Sequence, residues 1–187
     1  MDHQYDGYIT IPHNTYDAFR NWTINNGFNV DGYAGNQCWD YLALLWYQYG
    51  LTLYTGPEGF AYECWTVSRN ANASGPFIQI TNYADVKRGD VLVMGPVSGY
   101  PAGHIAFADE DYNGTDYMYI VGQHQGESSS AATSFVNRRN WNVGTRFLGA
   151  FRNNNWTAPS PTPTETKKKK KFPYPVAWQH WENFKRP

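Results

Sequence analysis

Cysteine is scarce in this chain of 187 residues, which has only Cys38 and Cys64. Two thiols can close one bridge but do not define a disulfide scaffold, so the fold must rest on a packed core. Charged side chains are also few, at 17% of residues. The surface is therefore left largely to Asn, Gly, Thr, Ser and Tyr. No stretch approaches the roughly 18 uninterrupted apolar residues of a spanning helix, so no membrane association is expected. The first residues, Met1-Asp-His-Gln-Tyr-Asp6, lack the basic start and apolar run of a secretory signal, and none is expected. Excess positive charge is missing too. Positions 1–164 carry eight basic and fourteen acidic residues, a balance of −6 that argues against nucleic acid as the main partner.

What the chain has in quantity is aromatic: 15 Tyr, 10 Phe and 8 Trp. Flat rings beside neutral hydrogen-bonding groups suit a protein that handles sugars or peptides, although an aromatic core gives the same count. The length allows one domain with a sizeable core.

Residues 1–157 read as that domain. Positions 158–171 read as a linker: the prolines of Ala158-Pro-Ser-Pro-Thr-Pro-Thr-Glu-Thr166 keep the chain extended, and Lys167 to Lys171 repel one another. Residues 172–187 regain aromatics but are too few to fold alone. Within the domain, Tyr16 to Trp22 reads as a short helix capped by Asn14 or Thr15. A stronger helix begins at Cys38, where Trp39, Leu42, Leu45, Trp46 and Tyr49 recur at helical spacing and Gly50 ends it. Phe60 to Val67 suggests another short helix. Strands follow at Asp90–Met94, His104–Ala108, Tyr117–Val121 and Phe147–Phe151, with a hairpin turn at Asn113-Gly114. Helices first and an antiparallel sheet second predict an α+β domain.

Cys38 is the first candidate for chemistry. It opens the best helix directly after Gly35-Asn-Gln37, and a helix N-terminus favours a thiolate, the species that attacks an amide carbonyl. His104 opens a strand after Pro101-Ala-Gly103, where its ring can project at the sheet edge as a general base. Cys64 and the acidic run Asp109-Glu-Asp111 read as packing and as a solvated hairpin tip. A second cluster precedes Cys38. Asn29, Asp31, Tyr33 through its carbonyl, and Asp40 put oxygen donors at positions 1, 3, 5 and 12 of a loop, similar to an EF-hand.

Four blocks occur in order: Gly35-Asn-Gln-Cys-Trp-Asp40, Lys87-Arg-Gly-Asp-Val-Leu-Val93, Gly103-His-Ile-Ala-Phe107 and Val121-Gly-Gln-His124. Together they resemble the CHAP domain, the cysteine, histidine-dependent amidohydrolases/peptidases of phage lysins and bacterial wall hydrolases. The resemblance covers roughly residues 20–150. It implies a papain-like α+β fold, with N-terminal helices packed on an antiparallel sheet. It also implies a peptidoglycan hydrolase that cuts an amide bond, as an N-acetylmuramoyl-L-alanine amidase or a peptide endopeptidase. Cys38 would attack and His104 would act as base. The family's Glu-Gln-Asn stretch is Gly122-Gln123-His124 here, so the group orienting His104 is expected to be His124 or Gln123. Some CHAP lysins bind calcium in the loop that corresponds to residues 29–40, which makes Ca2+ the expected cofactor.

The expected partners are bacterial peptidoglycan and, through the C-terminal segment, other virion or tail proteins. The expected location is the host cytoplasm until lysis, or the virion. Two rival readings are a non-catalytic wall-binding or virion structural module, and a zinc amidase using His104, His124 and an Asp.

Overall fold

The computed structural model describes residues 13–66, 69–126 and 134–157. The linker and aromatic tail expected beyond residue 157 lie outside that range. Two helices come first, α1 (Tyr16–Thr23) and α2 (Cys38–Tyr47), then the single-turn helices α3 (Glu63–Thr66) and α4 (Arg69–Asn72). Six strands follow: β1 (Phe77–Ile80), β2 (Val91–Met94), β3 (His104–Ala108), β4 (Tyr117–Gly122), β5 (Asn137–Asn142) and β6 (Phe147–Asn153). They form one sheet in the order β1-β6-β2-β3-β4-β5, and every neighbouring pair is antiparallel. The α+β expectation holds.

Local chemistry fixes the helix starts. Thr15 Oγ1 accepts from the Ala18 N–H at 3.1 Å and caps α1. At α2 the Asp40 carboxylate reaches back to the Gln37 N–H at 2.8 Å, the reverse half of a capping box. Helix α2 ends at Tyr47, and Gly50 takes the left-handed backbone (φ 65°) that the turn after it requires.

Strands β2 and β3 are buried on both faces, which explains their continuous apolar sequences. One face, with Val91, Val93, Ile105, Phe107 and Phe151, packs under the helices against Phe19, Tyr41, Leu42, Leu45 and Trp46. Trp46 stacks on Phe77 with ring centres 4.0 Å apart. The other face holds Leu92, Met94, Ala106, Ala108, Met118 and Ile120, covered by Val86, Val143, Trp141 and Phe147. Each large apolar side chain so buried contributes about 1.5–3 kcal/mol before conformational entropy is subtracted.

Two strands were not foreseen. β1 is only four residues long. β5 (Asn137-Arg-Arg-Asn-Trp-Asn142) is a polar edge strand with no buried residue, so no apolar alternation marks it.

Candidate active site

Cys38 is the first residue of α2, half-buried against the main core, and both cysteines are free thiols. The backbone of Ile105 and Trp39 lies within reach of its sulfur, so the thiol abuts the residue that follows His104. Burial nevertheless pushes the thiol up to about 11. Desolvation thus opposes the thiolate that the helix start and the N–H groups around the sulfur favour. Cys64 is fully buried.

His104 begins β3 opposite Met94 and is 2% exposed. Gly103 precedes it with φ 68°, and a Cβ there would lie 2.4 Å from the Met94 carbonyl oxygen. Only glycine lets the chain turn this tightly into the strand. Burial lowers His104 to about 3, and the nearby charges of Arg146 and His124 push the same way. Burial thus favours the neutral form of both thiol and imidazole, and no hydrogen bond joins them.

The imidazole is held by a residue the sequence reading did not single out. Nε2 of His104 lies 3.3 Å from Oε1 of buried Gln125. The Gln125 amide nitrogen donates to the Asn137 carbonyl at 2.7 Å and to Asn137 Oδ1 at 2.9 Å, which turns Oε1 toward the ring. An acceptor at Nε2 requires the hydrogen there and leaves Nδ1 as the basic nitrogen. Trp141 covers the ring with centres 4.7 Å apart.

Gly122 makes this arrangement possible. A Cβ at that position would fall 2.6 Å from Gln125 Oε1 and 3.0 Å from Ala106 Cβ. The amide of Gln125 fills the space that a side chain on β4 would otherwise take.

Gln123 and His124, the two expected orienters, hold a different partner. Gln123 receives the Phe28 N–H at 2.8 Å and donates to the Phe28 and Gln37 carbonyls at 2.7 and 2.8 Å. His124 Nδ1 lies 3.1 Å from Gln37 Oε1. Both residues fix Gln37, immediately before the nucleophile candidate, and neither hydrogen-bonds the His104 ring. The reason is geometric: β4 ends at Gly122, and the chain then turns under the helix start, with His124 at φ 52°.

In the 29–40 loop, Asp40 is 1% exposed and accepts from the Val30 and Asp31 N–H groups at 2.6 and 3.3 Å. Desolvation is the main reason its carboxyl rises to about 6, and Asp31 adds to it. Asp31 accepts from the Tyr33 N–H at 2.8 Å, and Tyr33 is exposed. Asn29 Oδ1 is buried without a hydrogen-bond partner. An orphan oxygen in a loop that also carries Asp31 and Asp40 fits the donor chemistry of an oxygen-seeking cation, although Asp40 already serves three backbone N–H groups. Elsewhere, a cavity lined by Tyr16, Lys87, Arg88, Arg152 and Trp156 contains none of these groups.

The chain is 32% identical over 126 residues, 63% of its length, to a D-alanyl-L-alanine endopeptidase of Streptococcus phage B30, of which it spans 26%. Among solved structures, the wild type endolysin LysIME-EF1 superposes with TM-score 0.57 at 21% identity, over 75% of this chain and 64% of that one. This chain shares the fold of that structure. Ly7917 matches at TM-score 0.50 and 17% identity, over 73% and 60% of the two chains. No protein-family model matches the chain. The endolysin likeness and the phage relative both agree with the CHAP resemblance carried by the four blocks.

Proposed function

We propose that this domain is a phage-type peptidoglycan hydrolase that cuts an amide bond with Cys38 as nucleophile and His104 as base. The observation that carries the reading is the His104 imidazole held at Nε2 by Gln125, at the start of the strand whose next residue, Ile105, reaches the helix-start thiol. With burial favouring the neutral form of both groups, Nδ1 takes the thiol proton as sulfur attacks the carbonyl. The tetrahedral oxyanion forms near the Cys38 N–H, a donor freed by its place in the first helical turn. His104 then protonates the leaving amine, and water releases the acyl group. Gln125 is the positioning residue: it keeps the ring hydrogen on Nε2 and stabilises the imidazolium that forms in between. The endopeptidase form of the reaction draws support from the name of the phage relative. The muramoyl-alanine amidase is its rival, and both share the same first step.

Calcium in the 29–40 loop belongs to the same proposal. Asn29, Asp31, Asp40 and the Tyr33 carbonyl would hold the ion, which would stiffen the approach to Gln37 and Cys38. Its support is the orphan Asn29 oxygen.

The test is digestion of purified peptidoglycan with mass spectrometry of the new termini. A new N-terminal Gly or Ala marks an endopeptidase, and a freed lactyl carboxyl marks an amidase. Iodoacetamide should stop either. Digestion that survives the thiol reagent but not a chelator would point to a zinc enzyme. No digestion by folded protein would leave a binding module.

A further inference from the structure

Arg146 stands apart from the other half-buried arginines. Arg20, Arg88 and the more exposed Arg138 converge on Asp109, and Arg152 pairs with Asp90 at 2.8 Å. Arg146 ends a short 3-10 turn just before β6 and pairs with no carboxylate among the described residues. Its Nε and Nη2 both reach only the Gly95 carbonyl, each at a long 3.4 Å. Its guanidinium lies 5.0 Å from the centre of the Trp141 ring and 5.8 Å from that of Tyr100. Trp141 in turn covers His104, and Tyr100 packs on Trp141 at 5.3 Å.

A partly desolvated cation without a counter-ion is a standing cost, and burial does weaken its hold on its proton. Two aromatic faces offset part of that cost but leave most of the guanidinium's five donors unused. A planar fork between aromatic walls is suited to binding a carboxylate in two-point fashion.

We infer that Arg146, walled by Trp141 and Tyr100, is a carboxylate-binding subsite that seats a free carboxylate of the substrate's peptide beside the scissile amide. Bacterial stem peptides carry such groups, and their amidation would remove the charge the subsite recognises. The inference rests on the proposed hydrolase reading, because the subsite adjoins the His104 that reading uses.

Binding to the Cys38→Ser protein tests it without turnover. The probes are one synthetic stem peptide with a free carboxylate and the same peptide amidated. The free acid should bind at least about tenfold tighter, roughly 1.4 kcal/mol. Arg146→Gln should bring the two affinities together, and Arg146→Lys should keep only part of the preference, because a point charge cannot form the fork. Circular dichroism and melting establish that each variant is folded, and Arg146→Lys carries the test if Arg146→Gln does not fold. Equal affinity for acid and amide in the parent, or a preference unchanged in either folded variant, overturns the subsite. The hydrolase reading is judged separately by whether wild-type digestion dies with Cys38→Ser. Loss there together with no carboxylate preference would remove the subsite alone.

Discussion

Cys38 and Cys64 are chemically alike but differently placed. Cys38 is half-buried at a helix start, and Cys64 is closed off in the core. Cys38→Ser should abolish peptidoglycan digestion and keep the fold, because a hydroxyl is nearly the size of a thiol but a far poorer nucleophile. Cys64→Ala should keep most activity. If digestion followed Cys64 instead, the nucleophile would be misassigned. Gln125→Ala should slow turnover tenfold to a thousandfold, about 1–4 kcal/mol, by releasing the imidazole. Gln125→Glu should restore an acceptor and move the acid limb of the rate profile to higher pH, since a carboxylate favours imidazolium. Equal loss in both variants, with no change in the pH profile, would make Gln125 merely structural. The depressed basicity of His104 also links stability to pH. Below 6.5 the unfolded chain protonates this histidine while the folded chain resists down to about 3, so its contribution is present above 6.5 and is lost as pH falls. The raised Asp40 carboxyl acts in the opposite direction between 3.8 and about 6. Denaturant melts of wild type and His104→Gln should therefore diverge in slope as pH drops from neutrality to about 6, with the wild type losing more.

The helix start is where local chemistry and the site coincide. Asp40 serves three backbone N–H groups and leaves them orphaned if removed. Asp40→Ala should cost about 1–3 kcal/mol in denaturant melts and loosen the nucleophile with it. Calcium is tested on the same element. At about 100 times its dissociation constant it should add roughly 2.7 kcal/mol, with magnesium a poor substitute. Asp31→Ala should remove that melting shift. An identical melting temperature and lytic rate for EDTA-treated protein with and without calcium would reduce the loop to a polar turn. Helices α1 and α2 and the strands β2, β3, β4 and β6 were legible because each carries its own cap or apolar run. Strand β5 was not, since an exposed edge strand is held by its hydrogen bonds to β4 and needs no apolar pattern.

At the scale of the molecule, Asp109 ties distant elements together. The sequence presents it as the start of a solvated hairpin tip, yet it is 7% exposed. It takes a hydrogen bond from Tyr16 Oη at 2.9 Å and ion pairs from Arg20 on α1, Arg88 before β2 and Arg138 on β5. Three guanidinium groups facing one carboxylate would repel one another without it. Asp109→Ala should therefore destabilise by about 3–5 kcal/mol, read as an early unfolding midpoint in urea. A loss below about 1 kcal/mol would mean that the arginines simply turn to water.

The sequence by itself determined the fold class, the helix start that carries Cys38, the strand start that carries His104, and the order of the blocks. Each of these is written in residues close together in the chain: a cap, a period, a glycine before a histidine. Only the tertiary structure decided how those residues are held. It gave Gln125 rather than Gln123 or His124 to the imidazole, because Gly122 leaves a gap on β4 that only folding brings beside the ring of His104. It also set how far the thiol and the imidazole are desolvated. A helix N-terminus favours the thiolate from a few bonds away, but the opposing desolvation comes from a sheet dozens of residues further on, and no local pattern records it.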